Sequence, residues 1–198
     1  MSAIRSFIAI HLPDHTQHKI GQIIKNLEAN VHAPVRWVHP HNIHLTLKFL
    51  GDVSPSNLQY LEDILRIRAG EFQPFTFSIG ELGAFPNARQ PRVIWIGIKA
   101  PDVLYQLQSC IETETLKLGY ASEQRKFSPH LTLGRVSRNA SLAEVRELSE
   151  ALVKIRVGEI DTVCADAIHL FRSDLKPGGA VYSSLFIAPL YAEKVDKI

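Results

Sequence analysis

The chain alternates between short apolar runs with the two-residue periodicity of strands and longer stretches with the three- to four-residue periodicity of helices. The opening run RSFIAIHLP predicts a buried strand, and Asp14 is then a candidate cap for a helix. The run HLTLKFLG predicts a second strand, which ends at Gly51. Another helix is predicted to follow, with Ser54 as its cap, so this part of the chain has the order strand, helix, strand, helix.

Strand-like runs dominate the rest of the chain. Five of them are rich in β-branched and aromatic residues: FQPFTFSIGELGAF, RVIWIGIKA, SPHLTLGRV, IDTVCADAIHLFRS and AVYSSLFIAPL. Two further helices lie among these runs, and the second begins with a capping-box pattern at Ser141 and Glu144. The last two runs are joined by DLKPGG, which predicts a tight turn. This mixture of strand pairs and helices predicts an α+β fold with antiparallel or mixed sheets.

The composition is that of a globular protein. Hydrophobic residues make up 45% and charged residues 21% of the 198 positions, which argues against intrinsic disorder and fits one domain over 1–198. The formal net charge of +2 permits an anionic substrate or a nucleic-acid end without demanding a duplex-binding surface. We expect a soluble cytoplasmic protein that does not contact a membrane, with Cys110 and Cys164 buried and reduced.

The tetrapeptide HLTL occurs twice, headed once by His44 and once by His130. Side chains alternate between the faces of a strand, so His44 and Thr46 share one face while the leucines occupy the other. The same holds for His130 and Thr132. Each tetrapeptide is followed by a helix and then by strands, which indicates a duplicated unit. If the two strands lie side by side, two imidazoles and two hydroxyls meet in one cleft.

These groups suit the displacement of a phosphodiester. The reaction needs a base for the attacking oxygen, an acid for the leaving oxygen and donors for the charged equatorial oxygens. Imidazole, with an ordinary pKa of about 6.5, can serve as either acid or base near neutral pH. A strained cyclic phosphate requires no metal. A single histidine in a strand is usually a hydrogen-bonded structural residue, and only the second copy favours catalysis.

Both tetrapeptides and their flanks resemble the paired H-x-T/S-x motifs of the 2H phosphoesterase superfamily. The surroundings resemble its bacterial and archaeal branch, the RNA 2′,3′-cyclic phosphodiesterases long called 2′-5′ RNA ligases. The similar blocks follow the same order over nearly the whole chain: RSFIAIHLP, RWVHPHNIHLTLKFLG, RVIWIGI, QRKFSPHLTLGRV and IHLFRSDLKPGGAVYSSL. The resemblance implies a bilobal α+β fold made of two interleaved lobes. It implies two antiparallel sheets that face each other across a central cleft, helices outside, and a pseudo-twofold duplication.

The resemblance also implies an activity. Members hydrolyse RNA 2′,3′-cyclic phosphate ends to 2′-phosphate ends without metal or cofactor, and they weakly and reversibly join RNA ends through a 2′-5′ linkage. By this likeness His44 would protonate the departing 3′-oxygen and His130 would activate the water. Thr46 and Thr132 would hold the phosphate oxygens. The nearly symmetric motifs alone do not order the two histidines. The expected partners are RNA ends or nucleotides with a cyclic phosphate, and we expect a monomer.

Each motif has one further candidate, which lies five residues beyond its histidine. Arg135 and Phe49 fall on the opposite face of an ideal strand, but Gly134 can mark a bulge or strand end that turns Arg135 towards the phosphate. A guanidinium there would stabilise the dianionic transition state, and a surface arginine is the alternative. The family likeness suggests that Phe49 stacks on the base, and a place in the core is the alternative.

Three other functions remain open at the level of the sequence. One is a binding module that holds RNA ends without turnover. Another is a metal-dependent phosphohydrolase that uses His39 and His41, for which a solvated turn is the simpler interpretation. The third is a phosphodiesterase for a different cyclic phosphate, such as ADP-ribose cyclic phosphate.

Overall fold

A computed structural model describes residues 3–177 and 179–191, and within them the chain forms nine β-strands and four α-helices. A short 3-10 turn at Pro40–Asn42 precedes the third strand. In chain order the strands and α-helices are β1 (Ile4–His11), α1 (Asp14–Asn30), β2 (Val35–Trp37), β3 (His44–Val53), α2 (Pro55–Ala69), β4 (Phe75–Phe85), β5 (Val93–Lys99), α3 (Asp102–Lys117), β6 (His130–Val136), α4 (Leu142–Lys154), β7 (Glu159–Ala165), β8 (Ala167–Lys176) and β9 (Gly179–Pro189).

The strands form two antiparallel sheets. Sheet A has the order β3-β1-β8-β9, and sheet B has the order β2-β6-β5-β4-β7. Strand β4, from the first half of the chain, pairs with β5 in sheet B, whereas β8, from the second half, pairs with β1 in sheet A. Both sheets therefore combine strands from the two halves of the chain, β1 and β3 with β8 and β9 in sheet A, and β2, β4 and β5 with β6 and β7 in sheet B. The predicted α+β class with two antiparallel sheets is confirmed.

The faces of sheet A have different partners. Ile8 and Ile10 of β1 belong to the main hydrophobic core, which also takes the apolar stripes of the helices. Burying an aliphatic side chain of this size contributes about 2 kcal/mol, so this face anchors the strand. On the opposite face, Phe7, Ala9 and Phe171 form a separate small cluster, with Tyr182 packed against it. This second face is the floor of the cleft described below.

One predicted strand is two strands in different sheets. The run IDTVCADAIHLFRS is divided at Asp166 into β7, which pairs with β4 in sheet B, and β8, which pairs with β1 in sheet A. The prediction of a single strand is therefore wrong. The buried positions shift by one residue at the crossing, from Val163 and Ala165 in β7 to Ile168 and Leu170 in β8, because each segment buries its own face against a different sheet.

The helix ends follow the sequence signals in most places. The Ser54 hydroxyl accepts a hydrogen bond from the Asn57 amide, and the capping box at Ser141 is complete. Asp14 is not a cap, because Pro13 occupies that position and Asp14 is the first helical residue. Of the helices in the described part of the chain, none is both long and apolar enough to cross a bilayer.

Three smaller predictions also differ from the structure. Strand β3 continues past Gly51, which adopts a φ of +70° within it, and ends at Val53. The whole segment DLKPGG was predicted to be a turn, but its first three residues belong to β8, which ends at Lys176, and its last residue, Gly179, begins β9. The prediction that Cys110 and Cys164 are buried is wrong, because Cys110 is half-buried on α3 and Cys164 is exposed on β7.

A buried charge connects the strand of the first motif to the segment that leads to the second. The ammonium of Lys48, whose side chain is 3% exposed, lies 2.6 Å from the Glu112 carboxylate of α3 and donates to the Ala121 carbonyl. Glu112 also accepts from the Glu123 amide. Burial alone would raise the pKa of Glu112, but the hydrogen bonds from Lys48 and Glu123 outweigh it and hold the pKa below its ordinary value.

Replacing Lys48 with methionine is expected to lower the free energy of unfolding by roughly 3 kcal/mol, because Glu112 then keeps its charge without its cationic partner. Urea denaturation of the parent and the Lys48→Met variant measures the loss. The matched control is the double variant Lys48→Met/Glu112→Leu, which removes both charges and should regain most of the stability. A single variant as stable as the parent would contradict this role for the pair.

Candidate active site

A β-bulge interrupts the first HLTL strand. Thr46 pairs with Ala9 of β1, whereas Lys48 pairs with Ile8, so Leu47 is an extra residue between the two pairs. An extra residue reverses the alternation of faces beyond it. Lys48 and Phe49, which directly follow the bulge, therefore face the opposite way from an ideal strand, and a second irregularity leaves Leu50 extra before Gly51 pairs with Ser6.

The second HLTL strand has a bulge at the same position. Thr132 pairs with Trp95 of β5, whereas Gly134 pairs with Ile94, so Leu133 is the extra residue. The bulge considered for the neighbourhood of Gly134 is present. The two halves of the chain thus repeat a backbone irregularity as well as a tetrapeptide.

The bulges bring Phe49 and Arg135 to the face that carries the histidines and threonines. Phe49 pairs with Phe7, and their ring centroids are 6.1 Å apart. Arg135 pairs with Val93 and is exposed. The face expected from an ideal strand is therefore wrong for both residues. Phe49 is 64% exposed, which also excludes the core position considered for it.

His44 is half-buried among aromatic rings on the floor of sheet A. Its ring stacks on Phe7 at 4.5 Å between centroids and meets the Tyr182 ring edge-on at 5.3 Å. Its Nδ1 lies 2.8 Å from the carbonyl oxygen of Asn42. Burial lowers the pKa of His44 to about 4, and the nearby His11 contributes to the shift, while the bond to Asn42 opposes it.

His130 repeats the same backbone hydrogen bond in a more open setting. Its Nδ1 lies 2.7 Å from the carbonyl oxygen of Ser128. The ring meets Phe85 edge-on at 4.9 Å, and the Trp95 ring is 6.4 Å away. Burial lowers the pKa of His130, the bond to Ser128 opposes the shift, and the charge of Arg135 adds to it.

The two backbone hydrogen bonds determine the tautomer of each imidazole. A carbonyl oxygen only accepts hydrogen bonds, so Nδ1 of His44 and of His130 must carry the proton. In the neutral ring Nε2 then has a free lone pair, and it is the nitrogen that can accept or release a proton. Thr46 and Thr132 are half-buried on the same faces, two residues further along.

The two motifs meet at the junction of the sheets, where β3 contacts β6. Arg135 of sheet B acts electrostatically on both His130 and Tyr182, and Tyr182 belongs to sheet A and touches His44. Burial raises the pKa of Tyr182, and the charges of Arg135, Arg5 and Arg36 partly offset that rise. The cleft therefore has two histidines, two threonines and a cationic rim that suits an anionic ligand.

Sequence reasoning missed several residues of this cleft. Tyr182 and Arg5 lie in runs that the pattern describes only as strands, and Arg36 lies before the first motif in a segment predicted to be a turn. Nothing local distinguishes the three from surface residues. His11 and His169 also lie on the cleft face of sheet A, with ring centroids 5.6 Å apart. Their proximity depends on the pairing of β1 with β8, which the sequence did not reveal.

The histidine-rich turn before β3 contains a second pair of imidazoles, and its Asn42 carbonyl accepts the hydrogen bond from His44. His39 and His41 stack with ring centroids 5.3 Å apart, and His41 Nδ1 lies 3.2 Å from the Gln17 side-chain oxygen. Over residues 3–177 and 179–191, no three histidine, cysteine or acidic side chains are grouped as metal ligands.

Comparison with known proteins gives one family match, and it occurs twice. The family described as LigT-like phosphoesterase matches residues 10–95 and again residues 96–182, and each match includes one HLTL tetrapeptide. The twofold match agrees with the repeated bulge.

The similarity to named proteins extends over nearly the whole chain. The chain is 34% identical over 182 residues to an RNA 2′,3′-cyclic phosphodiesterase from Methanothermobacter thermautotrophicus, covering 92% of this chain and 96% of that protein. It is 35% identical over 185 residues to a protein of the same name from Archaeoglobus fulgidus, covering 92% and 98%. Escherichia coli LigT crystallised with 3′-AMP is 26% identical with a TM-score of 0.74, covering 96% and 99%.

The hydrogen bonds to Asn42 and Ser128 predict that both imidazoles are Nδ1–H tautomers at pH 7. Two-bond ¹H–¹⁵N correlation spectra of histidine-labelled protein distinguish this form, and the variants His44→Asn and His130→Asn assign the signals. His44 should stay neutral until the pH falls to about 4, because burial lowers its pKa. An Nε2–H pattern in either ring, or a His44 midpoint near 6.5, would contradict the geometry.

Proposed function

The chain belongs to the LigT-like phosphoesterase family, and we propose that it hydrolyses RNA 2′,3′-cyclic phosphate ends to 2′-phosphate ends. The observation that carries the proposal is the pair of imidazoles on contacting strands, each held by the same backbone hydrogen bond with Nε2 free. The names of the relatives support the cyclic phosphodiester as substrate.

The two histidines act as acid and base in one displacement. Nε2 of His130 takes a proton from water as the water oxygen bonds to phosphorus, and Nε2 of His44 gives a proton to the departing 3′-oxygen. The P–O3′ bond breaks, and the phosphate remains on the 2′-oxygen. The order of the two roles follows the family likeness. Thr46 and Thr132 donate their hydroxyl hydrogens to the non-bridging oxygens.

Arg135 and Phe49 complete the site from the positions to which the bulges bring them. The guanidinium of Arg135, exposed beside His130, stabilises the negative charge that grows on the phosphate. The exposed ring of Phe49 lies beside Phe7 at the edge of the floor and stacks on the terminal base. Neither residue exchanges a proton with the substrate.

The reaction needs no metal or cofactor, because imidazole supplies the acid and base and Arg135 supplies the positive charge. The same cleft weakly joins RNA ends through a 2′-5′ linkage when a 5′-hydroxyl replaces water. The working unit is a monomer, one domain over 1–198 built from two interleaved lobes, and it acts in the cytoplasm.

Alanine at His44 or at His130 should reduce kcat/KM by at least about a thousandfold, since each removes a proton-transfer group. The assay uses an oligonucleotide with a 2′,3′-cyclic phosphate end, with a chelator present, and identifies the product end. The matched control is His18→Ala, at an exposed histidine of α1. A 3′-phosphate product, loss of activity on chelation, or high activity in either variant would contradict the mechanism.

The pH profiles of kcat/KM and kcat should differ. Activity needs His44 protonated, and in the free enzyme this form is lost as the pH rises through the lowered pKa of about 4. The alkaline limb of kcat/KM should therefore lie below pH 6.5. A bound phosphate anion raises the pKa of His44, so the limb of kcat should lie at higher pH. Steady-state kinetics from pH 4 to 9 measure both, and coincident limbs would argue against His44 as the acid.

A further inference from the structure

The floor of sheet A carries two more imidazoles beside His44. His11 of β1 pairs directly with His44 across the two strands, and their side chains lie opposite the face that buries Ile10 and Leu45. His169 of β8 pairs with Ala9 of the same floor. The ring centroids of His11 and His169 are 5.6 Å apart, so the two imidazoles form a pair next to the proposed acid.

The surroundings hold His169 in place and leave His11 open to solvent. The His169 ring stacks on Phe171 at 5.3 Å with 8° between the planes, and Phe171 stacks in turn on Phe7. The Ser184 hydroxyl lies 3.5 Å from Nδ1 of His169. His11 is exposed and His169 is half-buried, so both rings have polar atoms available to a ligand in the cleft.

The chemistry of this pair fits an anionic oxygen ligand. Each imidazole offers an N–H donor, and an anion between two of them favours the protonated forms that otherwise repel each other. Asp166, which acts electrostatically on His169, is the acidic group next to it. The described residues provide no third histidine, cysteine or carboxylate arranged with these two as a metal site.

The position of the pair suggests which anion it takes. In a terminal nucleotide the base and the 5′-phosphate leave the ribose at different carbons, away from the cyclic phosphate. Phe49 lies further along β3 from His44, whereas His11 and His169 lie across the sheet on β1 and β8. The cleft face of sheet A therefore offers separate positions for the two groups, Phe49 for the base and the His11–His169 pair for the 5′-phosphate.

We propose that His11 and His169 form a second anion subsite, which binds the phosphodiester that links the terminal nucleotide to the one before it. The subsite depends on the proposed function, because the cyclic end must lie between His44 and His130. It makes an oligonucleotide end a better substrate than a cyclic mononucleotide.

Three substrates test the subsite: adenosine 2′,3′-cyclic phosphate, the same nucleotide with a 5′-phosphate, and a dinucleotide with a 2′,3′-cyclic end. The parent enzyme should show kcat/KM values for the second and third that exceed the first by about tenfold or more, as expected for charge-assisted hydrogen bonds. A gain seen with the dinucleotide alone would overturn the proposal, since a second base rather than a phosphate would then be bound.

The variant His169→Phe keeps an aromatic ring on Phe171 but removes the polar atoms. It should reduce the ratio of dinucleotide to mononucleotide kcat/KM about tenfold, and His169→Gln, which restores an N–H donor, should recover part of that ratio. The variant His18→Gln on α1 is the matched control and should leave the ratio as in the parent. An unchanged ratio in His169→Phe, or an equal loss on all three substrates, would overturn the subsite.

The outcomes separate the two proposals. A parent enzyme that hydrolyses none of the three substrates contradicts the proposed function itself. A parent that hydrolyses all three with equal kcat/KM contradicts only the subsite. If His169→Phe does not fold, His11→Ala, which removes the exposed imidazole of the pair, should show the same loss of the ratio, and an unchanged ratio there would overturn the subsite.

Discussion

One hydrogen bond, from an imidazole Nδ1–H to the carbonyl oxygen two residues earlier, sets the chemistry of both motifs. Each histidine is the first residue of its strand, so the accepting carbonyl lies in the segment that leads into the strand. The bond selects the tautomer, fixes the ring and leaves Nε2 as the reactive nitrogen. Without it, neither tautomer would be selected at these positions and the ring would have no defined direction.

The two halves share a backbone and differ in electrostatics. Both motif strands carry a bulge after the threonine, yet the residue after the extra leucine is buried Lys48 in one half and Gly134 in the other. Burial lowers the pKa of both histidines, and that of His44 falls to about 4. A reaction with one acid and one base requires two imidazoles that differ in protonation, and because His44 is the proposed acid, the bound phosphate anion must raise its lowered pKa.

Local signals predicted the elements well where the physics is local. The caps at Ser54 and Ser141 each depend on a side chain and an amide three residues apart, and contacts between residues this close can be predicted from the local sequence. The division at Asp166 depends on which distant strand each segment meets, and β7 and β8 both alternate with a period of two on either side of it, with the buried positions shifted by one residue. A pattern of period two cannot tell one buried sheet from another.

The sequence by itself determined that each HLTL places a histidine and a threonine on one face with leucines beneath, because strand alternation is a property of the backbone. It also determined, through the repeat and its flanks, the family and the kind of chemistry. Tertiary structure decided the rest. The bulges that turn Phe49 and Arg135 into the cleft, the burial that lowers the pKa of His44, and the meeting of His11 with His169 all depend on strand register and packing between distant segments. Strand register and packing result from many contacts between residues far apart in the chain, so no short stretch of sequence predicts them.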